Sequence, residues 1–141
     1  MTLKKLIAFS LMTVMLVACG KSRTEKLLWN KKWGVYNVTP PDNGTFDVEA
    51  SDRAQELKNG FYKDAWFQFT EYGLFRASFG GKVDSGKYTI SYDGQIISLY
   101  PLKGNKMYEQ IQVKQLTRDK FDFNTVIADF HMTLHTKNIS Q

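Results

Sequence analysis

Hydrophobic and polar residues alternate with a period of two along most of the chain from Trp33 onward, and turn-forming residues separate the alternating runs. This alternation predicts half-buried antiparallel strands. The predicted strands cover residues 33–39, 65–71, 74–79, 87–92, 95–100, 107–116, 120–124 and 129–136. Because most links between successive strands are short, we expect an up-and-down meander, and eight strands are enough for a twisted sheet to close. The predicted fold class is all-β, an eight-stranded up-and-down antiparallel barrel.

One parity of the predicted strands carries the large apolar side chains that we expect inside the barrel. They are Phe67, Phe69, Phe75, Tyr88, Ile90, Ile97, Leu99, Ile111, Val113, Phe121, Phe123, Phe130, Met132 and Leu134. So many large side chains favour an interior that fills itself, although a barrel of this size can also hold one small ligand. The alternation slips between Tyr108 and Leu116, which predicts a β-bulge near the end of that strand.

Glycine-containing breaks are expected to form the turns between the strands. They are Tyr72-Gly73, Gly80-Gly81 followed by Asp84-Ser85-Gly86, Lys103-Gly104-Asn105 and Asp93-Gly94, the last of which predicts a two-residue type I′ turn. A further break, without glycine, is Arg118-Asp119. The run from Gly81 to Lys87 has the glycine and lysine spacing of a phosphate-binding loop. Tyr88 stands where that loop needs Ser or Thr, and a strand follows where it needs a helix, so a glycine-rich hairpin is favoured.

The link between the first two strands is the only long one. Ser51 is expected to N-cap a short helix over residues 52–59, with Gly60 directly after its last turn. In a meander barrel the segment 46–62 crosses one end, where it forms either a lid or a plug of the core. The plug is favoured, and it would add two apolar residues to the core, Leu57 and Phe61.

The start of the chain has the features of a lipoprotein signal peptide. Lys4 and Lys5 precede an apolar segment over residues 6–17, and Leu16-Val17-Ala18-Cys19 has the small-residue pattern of a lipobox. A helix of about a dozen residues rises only ~18 Å, too little to cross a hydrocarbon core of ~30 Å. We therefore expect residues 1–18 to be removed and Cys19, the only cysteine, to carry acyl chains such as palmitate.

Removal of a signal peptide lowers the positive charge of the chain. The whole sequence has 19 basic and 14 acidic residues, and loss of Lys4 and Lys5 reduces its net charge from +5 to +3. This small charge argues against nucleic acid as a partner. After Cys19, residues 20–28 are expected to be a polar tether without structure, either solvated or resting its basic side chains on anionic lipid headgroups. Residues 29–141 then form one barrel domain.

Residues that typically carry catalysis or bind metals are few in this sequence. His131 and His135 share a strand, where four residues span ~13 Å, too far apart for two ligands of one zinc ion. Their parity is opposite to that of Met132, which predicts solvated side chains on the outer face of the barrel. We find no nucleophile motif and no convincing carboxylate pair. We therefore expect no enzyme, no catalytic residue, no metal site and no cofactor.

The order of several weak motifs resembles the small lipocalin-like lipoproteins common in Bacteroidetes. The motifs are Leu27-Leu28 before Lys32-Trp33, Phe67-x-Phe69 followed by Gly73-x-Phe75, Gly86-Lys87-Tyr88-Thr89-Ile90, and Leu116-Thr117-x-Asp119-x-Phe121. Lys31 stands where lipocalins carry the Gly of their Gly-x-Trp motif. The resemblance implies a lipocalin-like or calycin-like barrel without catalytic residues, anchored in the bacterial envelope at the outer membrane and facing the periplasm.

Two functions remain open from the sequence. The first is the binding of a small apolar ligand inside the barrel by Phe67, Phe69, Phe75, Tyr88, Ile90, Leu99 and Met132. The second is a lipid-tethered interaction or structural module with a self-filled barrel, such as an inhibitor or an accessory subunit of an envelope complex. A carbohydrate-binding or adhesive sandwich is less favoured, although outward aromatic residues such as Trp66, Tyr92 and Tyr100 suit such contacts.

Overall fold

The structure is a computed structural model that describes residues 20–42, 47–127 and 129–140. The expected signal peptide and Cys19 lie outside the described residues. The helices and strands are α1 (residues 20–28), β1 (Lys32–Thr39), α2 (Val48–Asn59), β2 (Trp66–Phe69), β3 (Leu74–Phe79), β4 (Lys82–Ile90), β5 (Ile96–Pro101), β6 (Glu109–Leu116), β7 (Lys120–Ile127) and β8 (Phe130–Asn138). Across these described ranges no helix is both long enough and apolar enough to cross a membrane.

The strands form a closed up-and-down barrel, which confirms the predicted fold class. Each strand pairs antiparallel with the next one in sequence, and β8 pairs antiparallel with β1. The connections therefore alternate between two ends of the barrel. One end is covered by α1, is called the closed end here, and also carries the β2–β3, β4–β5 and β6–β7 turns. The open end carries α2, the β3–β4 and β7–β8 turns and the β5–β6 loop.

The interior of the barrel matches the parity predicted from the sequence. All of the predicted inward side chains except Phe130 are buried. Phe130 is half-buried, packs against the core and has the guanidinium of Arg53 5.0 Å from its ring centre. The core also contains Trp33, which is fully buried and donates its Nε1 hydrogen to the carbonyl oxygen of Leu28 at 3.2 Å.

Two strand pairs contain irregularities in register. The pairing of β6 with β7 shifts between Val113 and Gln115, which confirms the bulge predicted from the slip in alternation. A second shift lies in the pairing of β1 with β8, between Val35 and Asn37, and the sequence pattern did not indicate it. Bulges of this kind increase the local twist that a closed barrel requires.

The fourth strand starts five residues earlier than predicted. Gly80 and Gly81 both have positive φ, 54° and 79°, and make the β3–β4 turn, so the interpretation as a glycine-rich hairpin is confirmed. The predicted break at Asp84-Ser85-Gly86 is wrong, because these residues lie within β4. A Cβ atom at Gly86 would collide with the ring of Phe75 and with the carbonyl oxygen of Tyr100. Gly86 therefore marks a close approach between strands and not a turn.

The turn between β4 and β5 is a hairpin turn, but the predicted type I′ geometry is wrong. Gly94 has a φ of 75°, whereas Asp93 is not among the described residues with positive φ. The amide of Gly94 donates to the carbonyl oxygen of Ser91 at 2.9 Å, and the carboxylate of Asp93 accepts from the amide of Gln95 at 3.0 Å. The hydroxyl of Ser91 also donates to the carboxylate of Asp93, at 2.6 Å, and this bond, followed by the bond from the amide of Gln95, lowers the pKa of Asp93. The bond from Gly94 to Ser91 makes Tyr92 and Asp93 the central residues of the turn, and Gly94 follows them with the positive φ. The side chain of Asp93 stabilises this longer turn by accepting hydrogen bonds within it.

The expectation of an unstructured tether over residues 20–28 is wrong. These residues form α1, which packs on the closed end of the barrel. Leu28 is fully buried, and the buried hydroxyl of Thr24 donates to the carbonyl oxygen of Gly94 at 3.0 Å. The amide of Lys21 donates to the carbonyl oxygen of Tyr92 at 3.1 Å. The helix is therefore part of the folded domain, and it closes this end of the barrel.

The helix between the first two strands exists, but it starts four residues earlier than predicted. Its N-cap is Asp47 and not Ser51, because the carboxylate of Asp47 accepts from the amide of Ala50 at 3.3 Å. Gly60 follows the last turn, as predicted, and its amide donates to the carbonyl oxygen of Glu56. The helix packs against β1 at the open end of the barrel.

Candidate ligand-binding cavity

A cavity of about 320 Å³ lies at the open end of the barrel. Its described lining consists of Phe61, Tyr62, Phe67, Phe75, Ala77, Phe79, Asp84, Leu99, Tyr108, Glu109, Ile111, Phe123, Thr125, Val126, Ile127 and Leu134. Pockets that hold small organic ligands start at about 300 Å³ and are mostly apolar with a few polar groups. The cavity meets both criteria, at the small end of the size range.

Seven of the sixteen residues in the described lining of the cavity are aromatic. The rings of Phe67 and Phe79 meet edge to face with their centres 5.3 Å apart, and those of Phe67 and Phe123 do so at 5.4 Å. Edge-to-face packing of this kind fixes ring orientation and is worth about 0.5–1.5 kcal/mol per pair beyond burial. The wall is therefore rigid and presents both ring faces and ring edges to the space that it encloses.

The segment after α2 forms the rim of the cavity. Phe61 stacks on Phe79 with ring centres 5.1 Å apart and planes inclined by 7°, and it meets Tyr62 edge to face at 5.0 Å. Phe61 is about half exposed, at 51%, while Leu57 is partly buried against the core. The prediction of a plug is thus correct for Leu57 and wrong for Phe61, which lies at the edge of the opening.

Two carboxylates lie on the inner face of the barrel wall at the open end. Glu109 is paired in register with the buried residue Leu99, and Asp84 is paired with the buried residue Ala77. Directly opposed residues in an antiparallel sheet point to the same face, so both acidic side chains belong to the interior parity. The hydroxyl of Thr125 donates to Oε1 of Glu109 at 2.5 Å.

Two phenols share the rim with these carboxylates. Burial, and secondarily the negative charges of Asp84 and Glu109, raises the pKa of Tyr108 to about 12. Burial, and then the charge of Glu109, raises the pKa of Tyr62 well above its usual range. Both phenols are therefore neutral hydrogen-bond donors at physiological pH, whereas the carboxylates supply negative charge.

The structure divides the predicted ligand-binding residues into two groups. Phe67, Phe75 and Leu99 line the cavity. The other four are buried outside its described lining, and they are Phe69, Tyr88, Ile90 and Met132.

Tyr88 illustrates why part of the predicted set does not reach the cavity. Its hydroxyl accepts from Nε1 of Trp29 at 2.7 Å and donates to the carbonyl oxygen of Thr70. Burial raises the pKa of Tyr88 to about 12. This network ties the residue after α1 to the β2–β3 turn, so the side chain of Tyr88 helps to seal the closed end.

Several cavity residues were not among the predicted ligand-binding residues, and most of them carried a signal in the sequence. Glu109 shares the parity of Ile111, and Thr125 shares that of Phe123. A polar residue on the inward parity of an otherwise apolar strand therefore indicates a wall position that faces open space. Asp84 was missed because it was assigned to a turn.

The outer face of the barrel carries the two histidines, as their parity predicted. His131 is exposed, but His135 is half-buried, so the expectation of a solvated side chain is wrong for His135. Its Nδ1 lies 3.2 Å from Oδ2 of Asp122, and its Nε2 lies 2.8 Å from the hydroxyl of Thr39. The three side chains link β7, β8 and β1 across the outer wall, and none of them lines the cavity.

Within the described ranges, no three His, Cys, Asp or Glu side chains lie close enough together to hold a metal ion.

Neither a protein-family model nor a curated protein matches this chain. The eight-stranded antiparallel barrel is consistent with a lipocalin-like fold and compatible with a ligand-binding module of that kind.

Proposed function

We propose that the chain is a membrane-anchored lipoprotein whose lipocalin-like barrel binds a small apolar ligand in the cavity at its open end. The cavity of about 320 Å³ is the observation that carries this proposal. Its aromatic wall supplies the apolar surface that drives binding, and its few polar groups orient the ligand. The proposed activity is binding, without catalysis, a cofactor or nucleic acid.

The alternative is an interaction or structural module with a self-filled barrel, and the cavity argues against it. Large rings fill the closed end, where Trp33, Phe69 and Phe121 are fully buried. At the open end Ala77 and Thr125 occupy inward positions of β3 and β7, and small side chains there leave space.

Titration with the neutral apolar dye N-phenyl-1-naphthylamine tests ligand binding. We expect saturable enhancement of its fluorescence by the wild-type protein. Ala77→Leu, which adds side-chain volume inside the cavity, should weaken this binding at least tenfold. Ser98→Leu is the matched control, because Ser98 pairs with Gln110 and Thr89 on the opposite parity of the sheet. Equal binding by both variants, or no binding by the wild type, would favour the interaction module.

The proposed anchor is a lipid on Cys19, directly before the first residue of α1. Because α1 packs on the closed end, a lipid at this position would hold that end against the bilayer. The exposed side chains of Arg23 and Lys26 on α1 would then lie near the headgroups, where each basic residue contributes on the order of 1 kcal/mol at an anionic surface. The open end would face the aqueous compartment, proposed to be the periplasm at the outer membrane.

Metabolic labelling with palmitate tests the anchor. Wild-type protein should incorporate the label and sediment with the outer membrane, whereas Cys19→Ser should incorporate none. Ser22→Ala serves as the matched control close to the modified position. An unlabelled wild-type chain that fractionates as soluble periplasmic protein would contradict the proposed anchor and leave the binding proposal unaffected.

A further inference from the structure

We infer that the cavity selects organic cations, namely apolar or aromatic amines that place their ammonium group at the rim between Asp84 and Glu109. This inference rests on the proposed ligand-binding function and specifies the chemical class of the ligand. The inference follows from the position of two acidic residues, Asp84 and Glu109, on the inward face of their strands, and it does not depend on the volume of the cavity.

The charged residues among the described lining of the cavity are of one sign. Lys82 shares the strand face of Asp84 at the start of β4, but its side chain is exposed and is not part of that lining. Asp84 and Glu109 are both on the interior parity of their strands, and no Lys, Arg or His is among the described residues of the lining. Arg53 of the neighbouring helix is engaged elsewhere, since it pairs with Glu56 at 3.1 Å and lies over the ring of Phe130. The negative charge at the rim therefore lacks a compensating protein cation among the residues that line the cavity.

Glu109 is half-buried beside apolar surface and loses part of its hydration there, whereas Asp84 is exposed. A cation brought by the ligand would add charge-assisted hydrogen bonds to both carboxylates. Glu109 receives one hydrogen bond, from the hydroxyl of Thr125 at 2.5 Å. Asp84 accepts from the adjacent amide of Ser85 at 2.8 Å. These neutral donors orient the two carboxylates without neutralising them, so each can still accept a charge-assisted hydrogen bond from an ammonium group.

The rings beside the carboxylates favour the same class of ligand. Aromatic faces attract cations electrostatically when the charge lies within about 6 Å of the ring centre. Tyr62, Tyr108 and Phe79 line the cavity together with the two acidic residues. The negative field that helps to raise the pKa of Tyr108 is the field that an ammonium group would meet at this rim.

The inference predicts a ranking among three ligands of similar size and different charge. The probes are 3-phenylpropylamine, 3-phenyl-1-propanol and 3-phenylpropionate, each measured at neutral pH by displacement of N-phenyl-1-naphthylamine. We expect the amine to bind about tenfold more tightly than the alcohol and the carboxylate to bind most weakly. The double variant Asp84→Asn, Glu109→Gln should remove the preference for the amine and leave the affinity for the alcohol within about twofold.

Asp119→Asn is the matched control, since it removes one negative charge from the β6–β7 turn at the closed end and should leave the ranking unchanged. Circular dichroism of each variant verifies the fold. Equal affinity for amine and alcohol in the wild type, or a preference that survives the double variant, would overturn the inference while the binding function stands. Failure of all three probes and of the dye to bind would overturn the proposed function itself.

Discussion

Truncation of Phe69 should destabilise the barrel far more than truncation of its outward neighbour Trp66. Phe69 is fully buried at the closed end, with ring centres of Tyr88, Phe121 and Phe75 at 5.2, 6.2 and 6.3 Å. Removing a buried Phe side chain loses its transfer free energy and leaves a cavity, at a total cost of about 3–5 kcal/mol. Because rigid rings surround this site and resist collapse, we expect Phe69→Ala to fall in the upper half of that range.

Trp66 is only partly buried, and its main polar neighbour is Lys32, whose Nζ lies 4.3 Å from the ring centre. An exposed contact of this kind contributes about 0.5–1 kcal/mol. Trp66→Ala should therefore cost about 1–1.5 kcal/mol once the partial burial of the ring is added. Phe69→Leu, which keeps the position apolar and retains part of the volume, should lie between the two alanine variants.

Urea denaturation followed by far-ultraviolet circular dichroism measures these differences, because the signal does not depend on the tryptophan that one variant removes. For a domain with a total stability of about 5–15 kcal/mol, loss of Phe69 should lower the midpoint markedly without changing the slope. Equal losses for Phe69→Ala and Trp66→Ala would mean that both faces of β2 are buried. The single-wall barrel would then be wrong, and a packed sandwich would be the better description.

Three further variants probe the closed end and the strand contacts. Tyr88→Phe removes a hydroxyl that accepts from Trp29 at 2.7 Å and should cost about 1–3 kcal/mol in thermal or urea unfolding at neutral pH. Because the pKa of Tyr88 is raised to about 12 in the folded protein, an unfolded chain releases this proton first, so wild-type stability should fall between about pH 10 and 12 and less steeply in the variant. Gly86→Ala should cost about 1–3 kcal/mol in urea unfolding, because its Cβ would collide with backbone and with a ring; a neutral effect would contradict the close approach. Thr24→Val should leave the carbonyl of Gly94 without its 3.0 Å donor and accelerate tryptic cleavage within α1, whereas an unchanged rate would show that the helix does not depend on this bond.

The barrel itself was predictable because the period-two pattern fixes which face of each strand is buried. A shift of one residue would expose the entire apolar set, so the alternation around Phe67 and Phe69 specifies both the strand and its inward parity. The slip before Leu116 likewise indicated a bulge, and the register shift between Val113 and Gln115 confirms it. These features depend on local sequence alone.

Helix α1 was not predictable in the same way, because its burial depends on a surface that exists only after the barrel has closed. Thr24 and Leu28 are the buried positions of residues 20–28, and two positions four residues apart are a weak signal for a helix. The hydroxyl of Thr24 finds its acceptor 70 residues away, at the carbonyl of Gly94. Tertiary contacts of this kind turn a polar segment into part of the core.

The candidate site depends on how side-chain volume is distributed along the barrel axis, and a count of large apolar residues does not describe this distribution. The count favoured a filled interior, and it is correct for the closed end, where Trp33, Phe69 and Phe121 are fully buried. At the other end, the inward positions of β3 and β7 are occupied by Ala77 and Thr125, so the same wall encloses space. Every second side chain of a strand points into the barrel, and each strand runs from one end of the barrel to the other. The position of a small inward residue within its strand therefore determines at which end a cavity opens. In this chain the small and acidic inward residues occur together at the open end, so available volume and negative charge coincide there.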